Sequence, residues 1–182
     1  MTILFKYLRM SLTIWALMLP SLQAAESSDQ MRESFAEFTP PKGWLEADKN
    51  ELSPHIKIMV VGPKLQSDMP PTMNLMIEPY NDTLKSYLKN VKKINDSHGD
   101  AWKDLGTLKT KAGDASLSQV EVRSKWGGEK LMHTIIVKNG YAYVLTATAS
   151  KNEFGRFYQQ FYNALRSLRI YEADFKENLL NN

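Results

Sequence analysis

The stretch from Ser116 to Ala149 constrains the fold more than any other part of this chain. Asn139-Gly140 stands between two runs rich in strand-forming residues, Lys130 to Lys138 and Tyr141 to Ala149. Both turn positions accept positive φ, as a tight type I′ hairpin requires. Ahead of them, Ser116 to Trp126 alternates. Ser118, Val120, Val122 and Ser124 share one face, and Gln119, Glu121, Arg123 and Lys125 share the other. Successive residues of a strand point to opposite faces, so the second set is expected to be solvated. Gly127-Gly128 supplies the turn between these strands. The stretch predicts a three-stranded antiparallel meander, with Glu121, Arg123 and Lys125 as a candidate partner surface.

Upstream, Phe35 to Leu45 opens the domain around a Pro40-Pro41 and Gly43 turn, with Phe38 and Trp44 as apolar anchors. Ile56 to Val61 is a β-branched run stopped by Gly62-Pro63, and Met73 to Tyr80 follows as a second strand. Pro79 cannot donate a ladder hydrogen bond, so it marks an edge or an exit. Trp102 to Lys111 is expected to be a strand leading into a turn at Ala112-Gly113-Asp114.

Two helices are predicted. In the first, Leu84, Tyr87, Leu88, Val91 and Ile94 fall on one face at helical spacing. Asp82 or Thr83 can cap its start, and Gly99 stops it. Lys89, Lys92 and Lys93 read as its solvated face. The second follows Ser150-Lys151-Asn152-Glu153, a capping-box pattern. Its stripe of Phe154, Phe157, Phe161, Leu165 and Leu168 should cover one face of the sheet. Burying that stripe contributes on the order of 10 kcal/mol before entropy, at ~2 kcal/mol per large apolar side chain.

The first 25 residues have the order of an export signal. Lys6 and Arg9 precede the uncharged run Met10 to Leu19, and Pro20 and Leu22-Gln23-Ala24-Ala25 follow. The apolar run is shorter than the ~20 residues of a spanning helix. We therefore expect a cleaved signal at 1–25, a polar lead-in at 26–34, one domain at 35–171 and a tail at 172–182. The protein is then exported, periplasmic or secreted, with no stable membrane anchor after cleavage.

The 182 residues carry 23 Lys+Arg against 20 Asp+Glu, with 43% hydrophobic and 24% charged content, a globular composition. Without the two basic residues of the signal the balance is 21 against 20, about +1. A near-neutral domain speaks against nucleic acid, which calls for a clustered basic face. The absence of cysteine excludes disulfides, thiolate metal sites, a cysteine nucleophile and a lipid-attachment cysteine.

Little in the chain points to chemistry. There is no Gly-x-Ser-x-Gly elbow, no phosphate-cradling glycine loop and no carboxylate pair set apart for acid/base work. His55, His98 and His133 are expected to be structural or on the surface, with His133 on the same side of its strand as Leu131 and Ile135. Asp96, His98 and Asp100 lack the ordered ligand pattern of a calcium loop. Trp44, Trp102 and Trp126 lie at strand ends, where packing explains them better than sugar binding. No cofactor or metal is predicted.

The order of these features resembles the PsbP/DcrB-like superfamily, which joins the photosystem II extrinsic protein, a bacterial exported protein and the yeast Ran-binding import factor. The resemblance rests on Pro41-Lys42-Gly43-Trp44, on the run from Ile135 to Ala147 and on the closing Leu165-Arg166-Ser167-Leu168. It spans roughly Phe35 to Tyr171. It implies an α+β fold, an α/β/α sandwich with a curved, mainly antiparallel sheet and helices on both faces. It further implies a non-catalytic accessory or assembly factor that binds an envelope protein. The alternative is a carrier of a small apolar ligand or lipid, held between Phe157, Phe161 and the Tyr143 or Leu145 face.

Overall fold

The computed structural model describes residues 35–124 and 127–171. The expected signal, lead-in and tail, together with Lys125 and Trp126, lie outside the described residues. The chain divides into two units. One comprises Met1–Phe35 and Tyr171–Asn182, and the other, Ala36–Ile170, carries the fold described here.

Among the described residues, nine strands and two α-helices make up the fold. They are β1 (Phe35–Glu37), β2 (Leu45–Glu46), β3 (Ile56–Val61), β4 (Thr72–Pro79), α1 (Leu84–His98), β5 (Ala101–Thr110), β6 (Gly113–Ser124), β7 (Gly127–Lys138), β8 (Tyr141–Ser150), α2 (Phe154–Arg166) and β9 (Arg169–Tyr171). Strands β2 to β8 form one seven-stranded sheet in the order β2-β3-β4-β8-β7-β6-β5, while β1 and β9 form a separate pair. Every neighbouring pair in the large sheet is antiparallel. After β4 the chain crosses as α1 to the far edge. It then returns through β5, β6 and β7 until β8 pairs with β4. Irregular registers at Ile56/Ile58 and Asp104/Gly106 bend the two sides of the sheet.

The helices take opposite faces. Phe154, Phe157, Phe161 and Leu165 of α2 join Met73, Leu75, Tyr143 and Leu145 of the central strands in one core cluster. The edge-to-face contacts of Trp44 with Phe157 and Phe161 close that core from the side. On the other face, the Tyr87 hydroxyl of α1 donates to Glu78 Oε1 at 2.6 Å, and the Lys92 ammonium of α1 stands 5.9 Å from the centre of the Trp102 ring. The expected sandwich is thus the observed one.

The local signals acted largely as their chemistry dictates. Thr83 Oγ1 accepts from the Ser86 N–H and caps α1, and Gly99 ends it in the left-handed region. Asn139 and Gly140 both have positive φ, as the type I′ turn demands. Three details differ. Gly113 and Asp114 belong to β6, paired with Thr110 and Lys109, so the turn lies one step earlier. Gly127 and Gly128 belong to β7, opposite Ser124 and Arg123. The capping box does not form as a helix cap. The helix starts at Phe154, and Glu153 sends its carboxylate instead to the N–H groups of Gln66 and Ser67, at 2.7 and 3.3 Å. The part-buried N–H groups of this loop have no strand partner and need an acceptor, and this carboxylate supplies one.

Candidate functional site

The register of the sheet assembles a polar row that no single strand reveals. Asp104 lies opposite Ser118, Ser118 opposite His133, His133 opposite Thr146, and Thr146 opposite Asn74. The next row places Leu131 opposite Thr148 and Thr148 opposite Thr72. Both rows lie on the α1 face, because alternate residues of each strand belong to the α2 core. His133 is on the side of Leu131 and Ile135, as expected from the sequence.

Both faces of the central strands are buried. Met73, Leu75, Met132, Tyr143, Leu145 and Ala147, on the α2 face, are all 0% exposed. On the α1 face, Thr72, Asn74, Leu131, His133, Thr146 and Thr148 keep between 5% and 9%. This floor is buried too, and Ser118, Val120, Ile135 and Val144 on the same face are at 1–2%. Met59 and Met76 flank it at similar exposure.

His133 Nδ1 stands 3.0 Å from Thr146 Oγ1. Desolvation pushes the imidazole down to about 4, so it is neutral near pH 7. Burial also pushes the Glu129 carboxyl above its ordinary range, against a lowering hydrogen bond from Ser124. Three buried atoms on this face, Trp102 Nε1, Ser118 Oγ and Glu129 Oε1, have no hydrogen-bond partner.

The candidate partner surface on β6 is built differently. Glu121 lies between two ammonium groups, with Lys130 Nζ 3.1 Å from Oε1 and Lys151 Nζ 2.6 Å from Oε2. Hydrogen bonds from Lys151 and then Lys130 hold its carboxyl below the usual range. Arg123 is exposed, opposite Gly128. The predicted wet face is only half wet: Leu117, on the same side of β6, is buried in the α2 core. The sequence reading missed Lys130 and Lys151, which come from β7 and from the turn after β8. The alternation of Lys130 along β7 was the one available signal.

The other nominated residues are scattered. His98 Nδ1 is 2.9 Å from the Ile94 carbonyl, within its own helix. Among the described residues no group of three His, Asp or Glu side chains stands close enough to hold a metal ion. The four side chains named for an apolar pocket, Phe157, Phe161, Tyr143 and Leu145, are packed into the continuous α2 core.

No protein-family model and no curated protein sequence matches the chain. Solved structures do. LpqN of Mycobacterium tuberculosis, a protein involved in cell envelope biogenesis, aligns with a TM-score of 0.53 at 11% identity, over 79% of this chain and 87% of its own. The Ran-binding protein Mog1p of Saccharomyces cerevisiae aligns with 0.52 at 13% identity, over 79% and 97%. Cyanobacterial PsbP from Synechocystis aligns with 0.50 at 12% identity, over 82% and 99%. The chain has the PsbP/Mog1 fold. Identity this low establishes the PsbP/Mog1 architecture and transfers no site. Within that architecture, no helix of the described residues is long and apolar enough to cross a membrane.

Proposed function

We propose that this chain is an exported, non-catalytic protein that acts by binding another protein in the cell envelope. The observation that carries the reading is the charged end of β6, where Arg123 is exposed beside the Glu121, Lys130 and Lys151 ion pairs. Glu121 is already committed to two lysines, so Arg123 is the cation offered to a partner, with Lys125 two residues on in the sequence adding positive charge, and the partner is then acidic at the contact. Charges at an interface rim steer encounter and fix register more than they add affinity. The signal-like start of the sequence and the PsbP/Mog1 fold, shared with an envelope-biogenesis protein and a Ran-binding protein, support the same reading.

The test is crosslinking in the native cell envelope, followed by affinity capture and mass spectrometry. One reproducible envelope protein is expected with the natural chain. The double variant Arg123→Glu, Lys125→Glu should lose that protein while keeping its thermal unfolding transition. Unchanged capture by the folded variant removes the β6 surface from the proposal.

A further inference from the structure

We propose that the partner surface continues from β6 onto the flank of α2, where Tyr158, Tyr162 and Arg166 anchor an acidic segment of the partner protein. The inference rests on the protein-binding reading and names the chemistry of its contact.

The sheet is left open on one side of α2. Along that face of β6, Ala115 and Leu117 are buried in the core, Gln119 and Glu121 are half-buried, and Arg123 is exposed. On β5, Leu108 is buried, but Lys103, opposite Gln119, is exposed. The cover of the helix thus ends part-way along these strands, and a shelf remains beyond it. On the other side of α2, Phe157 and Phe161 meet Trp44, which lies against Gly62 at the end of β3. Tyr158 and Tyr162 each follow one of these phenylalanines. They stand about 100° further around the axis, on the flank turned toward β6 and β5.

That flank carries a ladder. The Tyr158 and Tyr162 rings stack at 6.1 Å with 15° between their planes, and Arg166 Cζ stands over the Tyr162 ring, 5.9 Å from its centre. Tyr158 is 44% exposed, and Arg166 is exposed at the lower end. Stacking holds these side chains before a partner arrives, which lowers the ordering cost of binding. Tyrosine and arginine are also the residues in which binding energy concentrates at protein interfaces. A guanidinium over a ring keeps its N–H donors at its edge, where a carboxylate can accept them.

Charge selects the occupant. Among the described residues, Lys103, Arg123 and Arg166 have no ion-pair partner. Glu121 is outnumbered by Lys130 and Lys151, and α2 from Phe154 to Arg166 contains no Asp or Glu. Lys130, 5.6 Å over the Phe154 ring, joins the β6 ion pairs to the start of the helix. Shelf and ladder are therefore one cationic surface continuous with the β6 contact. An acidic segment lying along it sets carboxylates on the guanidinium groups, as two parallel hydrogen bonds, and an aromatic side chain against Tyr158.

Tyrosine-ring NMR on the full chain tests the contact, with a glutamate–tyrosine copolymer as the probe and polylysine as the charge control. Saturable shifts of the Tyr158 and Tyr162 rings are expected, with the buried Tyr87 and Tyr143 rings unmoved. Tyr158→Ala, followed at Tyr162, and Arg166→Gln, followed at both rings, should each weaken the copolymer about tenfold. Both side chains are exposed, so the thermal unfolding transition should not fall. Lys85→Glu on α1 should leave the binding unchanged. The double variant Tyr158→Ala, Arg166→Gln should also lose the envelope protein captured by the natural chain. If it keeps that protein while Arg123→Glu, Lys125→Glu loses it, the ladder is refuted and the β6 reading stands. Capture of no protein by the natural chain removes the reading on which the inference rests. The proposal is also overturned if the copolymer leaves both rings unmoved, if polylysine moves them equally, or if neither variant weakens binding.

Discussion

His133 Nδ1 and Thr146 Oγ1 face each other at 3.0 Å across β7 and β8, deep enough that the imidazole stays neutral. The unfolded chain takes up the proton near 6.5, but the folded chain does so only at about 4. Stability from this residue is therefore complete above pH 6.5 and falls by about 3 kcal/mol as pH drops to 4. Denaturant midpoints measured across that window should decline, and His133→Gln should flatten the decline. The raised Glu129 carboxyl acts in the opposite sense, costing stability as pH rises above its ordinary 4.5. Repeating the series in a Glu129→Gln background separates the two. A decline that persists in His133→Gln would assign it to another group.

Gly62 is required by its neighbours. A Cβ there would lie 2.6 Å from Trp44 Cε2 and 2.8 Å from Pro71 Cγ. Gly62→Ala should cost about 2 kcal/mol, the scale of an overpacked core, and should shift Trp44 emission. Adding Trp44→Leu to Gly62→Ala should recover part of the loss in thermal unfolding. No recovery would place the strain at Pro71.

The Glu153 carboxylate fastens the loop before β4 to the start of α2. Hydrogen bonds from that loop and from Ser150 pull its pKa down to about 2. The contribution is present above the ordinary 4.5 and is lost as pH falls toward 2. In Glu153→Ala, the amide protons of Gln66 and Ser67 should exchange about tenfold faster at neutral pH, while those of β8 keep their protection. Uniformly faster exchange would instead signal global destabilisation.

The outer edge of β5 is guarded by its own bulge. Gly106 has φ +89°, and its N–H donates to Asp104 Oδ1 at 2.8 Å, so that donor is not offered to another strand. Bulges and charges at an edge prevent pairing between molecules. Deleting Leu105 together with Asp104→Thr should straighten the strand and produce dimers that grow with concentration in sedimentation. A strictly monomeric variant would show that α1 or its lysines protect the edge unaided.

What could be read from the sequence divides along the range of the interactions. Asn139-Gly140, the Thr83 cap and the aromatic stripe of α2 are set by neighbours within a few residues, and the structure places them as expected. Gly113 and Gly127 read as turn residues, but both take positive φ inside a ladder. Glu153 satisfied the capping-box spacing, yet a loop 86 residues away supplied better donors. The polar row was invisible for a stronger reason. It exists only because β4 pairs with β8, and a slip of one residue there would turn Asn74 into the α2 core. Even the β6 surface was half legible: the alternation identified Glu121, but its two lysines come from other segments.

The pairing of β4 with β8 also sets the order in which the molecule can form. The meander from β5 to β8 closes through short turns, but Thr72 must wait for Thr148. Closing so long a loop is entropically costly and slows folding. A chain emerging N-terminus first therefore carries β3 and β4 as an unfinished half until Tyr141–Ser150 has appeared. The central seam is the late step, and the apolar side of β4 is what a holding chaperone would meet before it closes.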